Sequence, residues 1–297
     1  MKSLLVDVER ALARRAEEGA PARLRARMLA AGDGWSAQDI ICTADRRDAA
    51  YEEHHPHVAV ALVVAGSFQY RSPAGRALLT PGSVLLGNPD QPFTCAHDHA
   101  AGDRCVSFKY SPEFIEQIAS DAGTRGTRGV FRIAGLPALP ALSPVTARVC
   151  ASLSCATDGA WEELAVELAT RSLSVSHRAS VDSGKSPPGA EARVTGVARL
   201  IERGPDDEPF SLHRLAREAG LSRYHFLRTF RRVIGVTPHQ FVCRARLRRA
   251  AARLVEDGPP VIDVAFDSGF GDVSNFNRAF RREFGMSPRQ YHRRFAS

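Results

Sequence analysis

The last third of the chain contains the same short pattern twice. Each copy has, in order, an apolar residue followed by Ala, a Gly, a Phe-x-Arg-x-Phe segment, an Arg-Arg pair, a second Gly, a Pro and a Gln-aromatic pair. The copies start at Leu215 and Val264. Equivalent residues are 49 positions apart up to the first Gly of each copy and 50 positions apart from the Phe-x-Arg-x-Phe segment onwards. Two copies are too few for a solenoid, which needs about three or more stacked units. The repeat therefore predicts a duplicated functional module.

Each copy has the features of a helix, a tight turn and a second helix. In the first copy, the apolar residues between positions 212 and 219 share one helical face, and Gly220 allows the positive φ that ends a helix. Ser222 is the expected N-cap of the second helix, whose core positions are Phe226, Phe230 and Val233. Two helices joined in this way form the geometry that places the second helix in a DNA major groove. The matching residues of the second copy are Gly269, Asp272, Phe276, Phe280 and Phe284.

The distribution of charge along the chain favours DNA binding over a helical bundle that does not bind nucleic acid. Residues 191–297 contain 20 Arg, no Lys and 12 acidic residues, a net charge of +8, whereas the rest of the chain has a net charge of −1. A bundle without a nucleic-acid role would explain the Phe and Gly positions but not this excess. An arginine run is usually a solvated helix face, but beside two candidate recognition helices it predicts an electrostatic footprint for phosphates. That run is Arg244, Arg246, Arg248, Arg249 and Arg253.

Residues from about 193 to 295 resemble the DNA-binding domain of the AraC/XylS family of transcription regulators. The resemblance implies two helix-turn-helix units bridged by a long helix, here from Pro238 to about residue 254. One polypeptide then sets two recognition helices into successive major grooves, roughly one helical turn apart. The family's hallmark is matched by Gly269-Phe270, Asn275-Phe276, Arg278, Phe280-Arg281, Gly285, Ser287-Pro288 and Tyr291.

The resemblance also assigns DNA contacts. Arg228 and Arg278 have the chemistry to read guanine, and Asn275 or Asn277 to read adenine, whereas Leu227 offers an apolar contact alone. The implied base-facing residues are Tyr224, Leu227, Arg228, Ser274, Asn275, Asn277 and Arg278. The implied phosphate contacts, which position a protein without specifying sequence, are Arg223, Arg231, Arg281 and Arg282.

The length of 297 residues predicts two domains. Residues 176–191, rich in Ser, Pro and Gly, are the expected linker between an effector-sensing domain at 1–175 and the DNA-binding domain at 192–297. The N-terminus carries acidic residues and lacks the apolar segment of a secretory signal, and the longest apolar run, at 58–65, is too short to span a membrane. Six cysteines without CxxC spacing suit a reducing compartment. We therefore expect a cytoplasmic protein.

Between residues 45 and 110 the sequence pattern predicts short strands separated by turns. The predicted strands are at 58–70, 77–79, 84–86, 93–95 and 105–110. This pattern predicts a small antiparallel barrel or jelly roll, and it resembles the cupin-type sensor barrel common in the family. Residues 111–175 show helical periodicity. In relatives such helices often pack against a second subunit, which implies a homodimer; the alternative is that they cover the barrel. The predicted fold is thus α+β, with an N-terminal cupin-like β-barrel and accessory helices, and an all-α C-terminal domain with two helix-turn-helix units.

A group of histidines in the predicted barrel suggests a divalent metal site. His55 and His57 precede the first long strand, His97 and His99 lie near a later one, and alternation places each pair on one face. Imidazole suits Zn, Fe, Ni or Cu, and Cys105 is a possible further ligand. The alternative is that these histidines have surface or hydrogen-bonding roles, since no Glu follows at the spacing of metal-binding cupins.

Two functions follow from these observations. The first is a sequence-specific transcription regulator whose barrel binds a small effector or metal and thereby changes the population competent to bind double-stranded DNA. An activator of this kind would also contact RNA polymerase, and no membrane partner is expected. The second is a metal-dependent cupin enzyme with an appended DNA-binding domain. The missing Glu and the absence of an acid/base constellation favour the regulator, so we predict no enzymatic activity.

Overall fold

The chain divides into two compact units in the computed structural model. The N-terminal unit comprises residues 3–149 and 156–182, and the C-terminal unit comprises residues 1–2, 150–155 and 183–297. The residues that the structure describes are 2–50, 52–97, 101–122, 131–154, 160–178, 189–204, 210–255 and 259–295.

The N-terminal unit begins with a helix, α1 (Lys2–Glu18), and continues as antiparallel strands. Its large sheet has the strand order β1-β2-β9-β4-β7-β10 and its small sheet the order β3-β8-β5-β6. The strands are β1 (Leu24–Gly32), β2 (Trp35–Asp45), β3 (Glu52–His54), β4 (Val58–Gly66), β5 (Phe68–Ser72), β6 (Gly75–Leu79), β7 (Val84–Gly87), β8 (Pro92–Ala96), β9 (Ala101–Tyr110) and β10 (Gly135–Leu136).

The two sheets do not close into one barrel, so the predicted barrel is corrected to two separate antiparallel sheets. Side chains from both sheets form a common apolar core, among them Val63 from β4 and Tyr70 from β5. The predicted strands from residue 58 onwards are confirmed, but the run at 58–70 is divided at Gly66. The φ of Gly66 is +75°, and a Cβ there would lie 2.6 Å from Asp103 Cα, so a glycine is required at this break.

Helices follow the last long strand, as their periodicity predicts. They are α2 (Pro112–Asp121), α3 (Ser143–Ser154) and α4 (Trp161–Arg178). The α4 helix packs on α2 and on strands of the large sheet, and Tyr110 Oη of β9 donates a 2.8 Å hydrogen bond to the Ala165 carbonyl. Its apolar residues Leu164 and Leu168 are fully buried within the chain. The α4 helix therefore covers the sheet, and dimerisation stays a prediction.

Every secondary-structure element in the described part of the C-terminal unit is a helix. The ends of the predicted linker at 176–191 belong to helices, since α4 ends at Arg178 and α5 starts at Ala190; residues 179–188 lie outside the described part. The helices are α5 (Ala190–Arg203), α6 (Leu212–Glu218), α7 (Arg223–Ile234), α8 (Pro238–Val255), α9 (Val261–Asp267), α10 (Val273–Phe284) and α11 (Pro288–Phe295). The predicted bridging helix is α8, and the two helix-turn-helix units are α6–α7 and α9–α10.

The predicted N-cap of α7 is confirmed, and a glycine ends the second helix of each unit. Ser222 Oγ accepts a hydrogen bond from the backbone amide of His225, which makes Ser222 the N-cap of α7. Gly235 ends α7 with a φ of +82°, and Gly285 ends α10 with a φ of +75°. One core position differs from the prediction, because Val233 is half-buried and Ile234 is the buried residue at the end of α7.

Candidate nucleic-acid interface

The first candidate recognition helix, α7, is anchored by its aromatic face. Phe226 and Phe230 are fully buried, and the ring of Phe230 packs edge-on against Phe241 of α8 with 5.6 Å between centroids. The opposite face of α7 is exposed to solvent, and Tyr224, with 76% of its surface exposed, is the most prominent apolar residue there. All the predicted DNA contacts of this helix lie on that exposed face: Arg223, Tyr224, Leu227, Arg228 and Arg231.

The second candidate recognition helix, α10, repeats this arrangement with a larger aromatic cluster. The rings of Phe276, Phe280 and Phe284 follow one another along the buried face, and Tyr291 of α11 packs against the last two. The Asp272 carboxylate accepts hydrogen bonds from the first backbone amides of the helix and fixes its start. Every predicted DNA contact of α10 is exposed: Ser274, Asn275, Asn277, Arg278, Arg281 and Arg282.

Part of this surface forms a cavity of about 1050 Å³ among α9, α10 and α11. It brings together the predicted base-reading residues Asn277 and Arg278 and the predicted phosphate contact Arg281. Arg289 and Arg293 of α11 line the same cavity, although they are not among the DNA contacts predicted from sequence. Their positions follow the hallmark Ser287-Pro288, and only the fold shows that α11 faces the same cavity as α10.

Four of the five arginines of the α8 run contact other helices of the C-terminal unit, so the run is not a purely solvated face, and phosphate binding by it stays a prediction. Arg244 Nε lies 3.5 Å from Glu283 of α10, and both side chains are about nine-tenths buried. Arg253 Nη1 lies 2.5 Å from Asp267 at the end of α9. In addition, Arg248 pairs with Glu202 of α5, and Arg249 donates to the carbonyl of Ile201.

These contacts have a simple physical cause. The α8 helix packs against α5, α7, α9, α10 and α11, so little of its circumference is left to solvent. Burial lowers the pKa of Arg249 to about 10, which still leaves this guanidinium charged at neutral pH. These four α8 arginines therefore connect neighbouring helices, whereas the arginines predicted to contact DNA on α7 and α10 are exposed to solvent.

The described members of the predicted metal-ligand set do not all come together. His55 Nε2 lies 2.9 Å from Tyr70 Oη, and its ring stacks on Phe93 with 3.9 Å between centroids. Burial and the charge of Lys109 lower the pKa of His55 to about 4, so it is neutral. His57 is exposed and His99 lies outside the described residues. These contacts favour a hydrogen-bonding and packing role for His55.

His97 and Cys105 belong to a different group. His97 is buried, and its Nε2 lies 2.7 Å from Asp103 Oδ1; Cys105 Sγ donates to Asp103 Oδ2 over 3.3 Å. Cys42 joins them from β2, and potential ligand atoms of Cys42, His97 and Asp103 all lie within 4.8 Å of one another. Cys42 and Asp103 are not among the metal ligands predicted from sequence.

Comparison with known proteins places both units in one family. Residues 39–173 match the AraC-like ligand binding domain, and residues 215–294 match a helix-turn-helix domain model. Regulatory protein SoxS of Salmonella typhimurium is 34% identical over 88 residues, which are 30% of this chain and 82% of SoxS. The chain belongs to the AraC/XylS family of transcriptional regulators.

Other similar proteins differ in how much of their length this chain covers. The HTH-type transcriptional regulator MtrA of Neisseria gonorrhoeae is 33% identical over 95 residues, which are 32% of this chain and 31% of MtrA. The crystal structure of ToxT from Vibrio cholerae O395 aligns with 89% of this chain and 99% of its own, at 13% identity and a TM-score of 0.34.

None of the described helices is both long and apolar enough to cross a membrane.

Proposed function

We propose that the C-terminal unit binds duplex DNA in a sequence-specific manner, with α7 and α10 as the recognition helices. One observation carries this proposal: both helices bury a phenylalanine face and expose the opposite face, which presents Arg and Tyr side chains on α7 and Arg, Asn and Ser side chains on α10. The buried face fixes the rotation of each helix, because its fully buried rings cannot leave the core without a large cost. The polar face is then presented in a constant orientation to a groove.

The exposed residues divide by chemistry into two roles. Arg228 and Arg278 are proposed to read guanine edges, and Asn275 and Asn277 to read adenine, since these side chains form paired hydrogen bonds with those bases. Ser274, Tyr224 and Leu227 complete the proposed base-facing set, Leu227 through an apolar contact such as a thymine methyl group. Arg223, Arg231, Arg281 and Arg282 are the proposed phosphate contacts, which hold the helices in register.

The N-terminal unit is proposed to sense a small effector and to change the fraction of molecules competent to bind DNA. The match of residues 39–173 to the AraC-like ligand binding domain supports this role. We also propose a cytoplasmic homodimer, which contacts RNA polymerase if it activates transcription. Because SoxS and MtrA are named as regulators, we propose no enzymatic activity for this chain.

Selection of bound sequences from a random duplex pool tests sequence-specific binding with the full chain. The proposed function predicts a bipartite motif with two half-sites about 10 base pairs apart, because one unit would place two helices in successive major grooves. Loss of one half-site in Arg228→Ala and of the other in Arg278→Ala would assign each helix to its half. Enrichment without any motif would refute sequence-specific binding.

A further inference from the structure

A cluster of metal-binding side chains lies where the two sheets of the N-terminal unit meet. Cys42 of β2 and Asp103 of β9 are direct partners across an antiparallel pair in the large sheet. His97 follows β8 of the small sheet, and its Nε2 lies 2.7 Å from Asp103 Oδ1. Potential ligand atoms of the three residues lie within 4.8 Å of one another, and they form the one such group of three found among the described residues.

We propose that Cys42, His97 and Asp103 bind a divalent metal ion of the zinc type. A thiolate sulfur, an imidazole nitrogen and a carboxylate oxygen are the three ligand types that Zn²⁺ takes in proteins. Zinc bonds of about 2.0–2.3 Å place tetrahedral ligand atoms roughly 3.3–3.6 Å apart. The group needs small side-chain movements to reach that geometry: the hydrogen bond between His97 and Asp103 opens, and the Cys42 sulfur approaches. The ion then replaces the thiol proton of Cys42, which passes to water, and the Nε2 proton that His97 donates to Asp103 moves through water to Nδ1, so that Nε2 binds the ion.

The backbone around the group holds these residues in place. The pairing of β2 with β9 is irregular directly after Cys42, and the amide of Ala44 donates to Cys42 Sγ over 3.5 Å. Bulges of this kind redirect side chains and are common next to functional sites. On the other side of β9, Gly66 is the partner of Asp103, and a Cβ at Gly66 would lie 2.6 Å from Asp103 Cα. Asp103 is thus fixed by strands on both sides.

Two further cysteines lie around the group. Cys105 is buried, and its Sγ donates to Asp103 Oδ2 over 3.3 Å, so it orients the carboxylate and is the nearest candidate for a fourth ligand. Cys95 of β8 packs against the core cluster that contains Cys105. A water molecule is the alternative fourth ligand, as in zinc sites that keep one open position.

A buried His-Asp hydrogen bond is the simplest structural role for two of these residues. That role does not require Cys42, which comes from another strand and lies 55 positions before His97 in the chain. Cys42 therefore distinguishes a metal site from a packing contact. The site also differs from the metal-ligand set predicted from sequence. Two members of that set are elsewhere engaged or exposed, since His55 is hydrogen-bonded to Tyr70 and His57 is exposed to solvent.

In the first measurement, the full chain is loaded with zinc and dialysed, and its zinc content is determined by elemental analysis. In the second, the full chain is loaded with Co²⁺ and its absorption spectrum is recorded. We expect one zinc per chain and a sulfur-to-cobalt charge-transfer band in the near ultraviolet. Competition with a chromophoric chelator gives the affinity. Cys42→Ser should weaken zinc binding by at least about 100-fold, more than the loss of a group that merely orients a ligand. Asp103→Asn should weaken zinc binding as well.

Two matched variants serve as controls. Cys243→Ser removes a half-buried thiol from the C-terminal unit, and His57→Ala removes an exposed histidine that the sequence pattern predicts as a ligand. Both variants should still bind one zinc ion and show the sulfur-to-cobalt charge-transfer band. Circular dichroism establishes that each variant folds, and Cys42→Ser decides alone if Asp103→Asn does not fold. A wild-type chain that retains no zinc would overturn the proposal. So would a Cys42→Ser chain that binds zinc as tightly as the wild type.

Discussion

Arg228 and Arg278 occupy equivalent positions in α7 and α10, each two residues after a fully buried phenylalanine and on the exposed face of its helix. The two recognition helices thus present an arginine at the same point relative to their own hydrophobic anchors, Phe226 and Phe276. The proposed base-reading arginine is thus duplicated together with the turn, the helix and the following cap.

Base and phosphate contacts should respond differently to mutation. Arg278→Ala should relax sequence preference at one position and cost about 1–3 kcal/mol of binding free energy, because a paired hydrogen bond to a base edge is lost. Arg281→Ala is the matched comparison on the same helix. It should weaken all sequences about equally and reduce the salt slope by about 1.

Binding titrations of the full chain at several salt concentrations, on a selected site and on single-base variants of it, measure both effects. Unchanged sequence preference in Arg278→Ala would remove this residue from the base-reading set.

The ion pairs of α8 should differ in their contribution to stability. Glu283→Ala leaves Arg244 buried without this partner and should lower the free energy of unfolding of the C-terminal unit by about 3 kcal/mol. Arg253→Ala breaks a more exposed pair with Asp267 and should cost less than about 1 kcal/mol.

Urea unfolding followed by circular dichroism measures these changes. Tryptophan fluorescence serves as a control, because the two tryptophans, Trp35 and Trp161, lie in the N-terminal unit and their transition should not move. Equal effects of the two substitutions would contradict the difference in burial.

The N-terminal unit should lose stability in acid through Asp39. Burial raises the pKa of Asp39, but hydrogen bonds and charges from Arg104 and Arg27 lower it more, so its net pKa is below the usual value. A carboxylate with a depressed pKa in the folded state stabilises the fold above the unfolded pKa, near pH 4, and this contribution is lost as the pH falls through the folded value.

Urea unfolding followed by tryptophan fluorescence, between neutral pH and about pH 3, should show this loss in the wild type. Asp39→Asn should be less stable at neutral pH and should depend less on pH in the acid range. An identical pH profile in both proteins would show that other carboxylates cause the acid loss.

The N-cap of α7 should be worth about 1 kcal/mol of stability. Ser222→Ala removes the oxygen that accepts from the His225 amide and should lower the stability of the C-terminal unit by about that amount. Ser222→Gly should cost a few tenths of a kcal/mol, because glycine leaves room for water to solvate the amide. Equal costs for the two variants, measured by urea unfolding, would argue against a capping role.

The helix-turn-helix units could be predicted from sequence because their signals are local. The aromatic residues recur at helical spacing, and each helix end carries its own cap, such as Ser222 or Gly235. The β1-β2 hairpin was not predicted, since inward-facing positions of β2 hold Asp39 and Thr43 and the apolar alternation is lost. Asp39 is tolerated there because Arg104 of β9 pairs with it.

Contacts between distant segments were the parts that sequence could not supply. The α8 arginines resemble a solvated, DNA-facing run until Glu202 and Glu283, far away in the chain, are placed beside them. The histidine spacing predicts a metal site built from two strands, whereas the structure places His97 near Cys42, which lies on a strand that was not predicted. The pairing of the strands into two sheets is likewise a property of long-range register.

Genomic footprinting of the tagged full chain, compared with the double variant Arg228→Ala and Arg278→Ala, tests sequence-specific DNA binding most directly. We predict discrete peaks that share a bipartite motif and disappear in the double variant. Diffuse, salt-sensitive occupancy that is the same in both proteins would contradict sequence reading by α7 and α10, because it would mean that the unit holds DNA through phosphates alone.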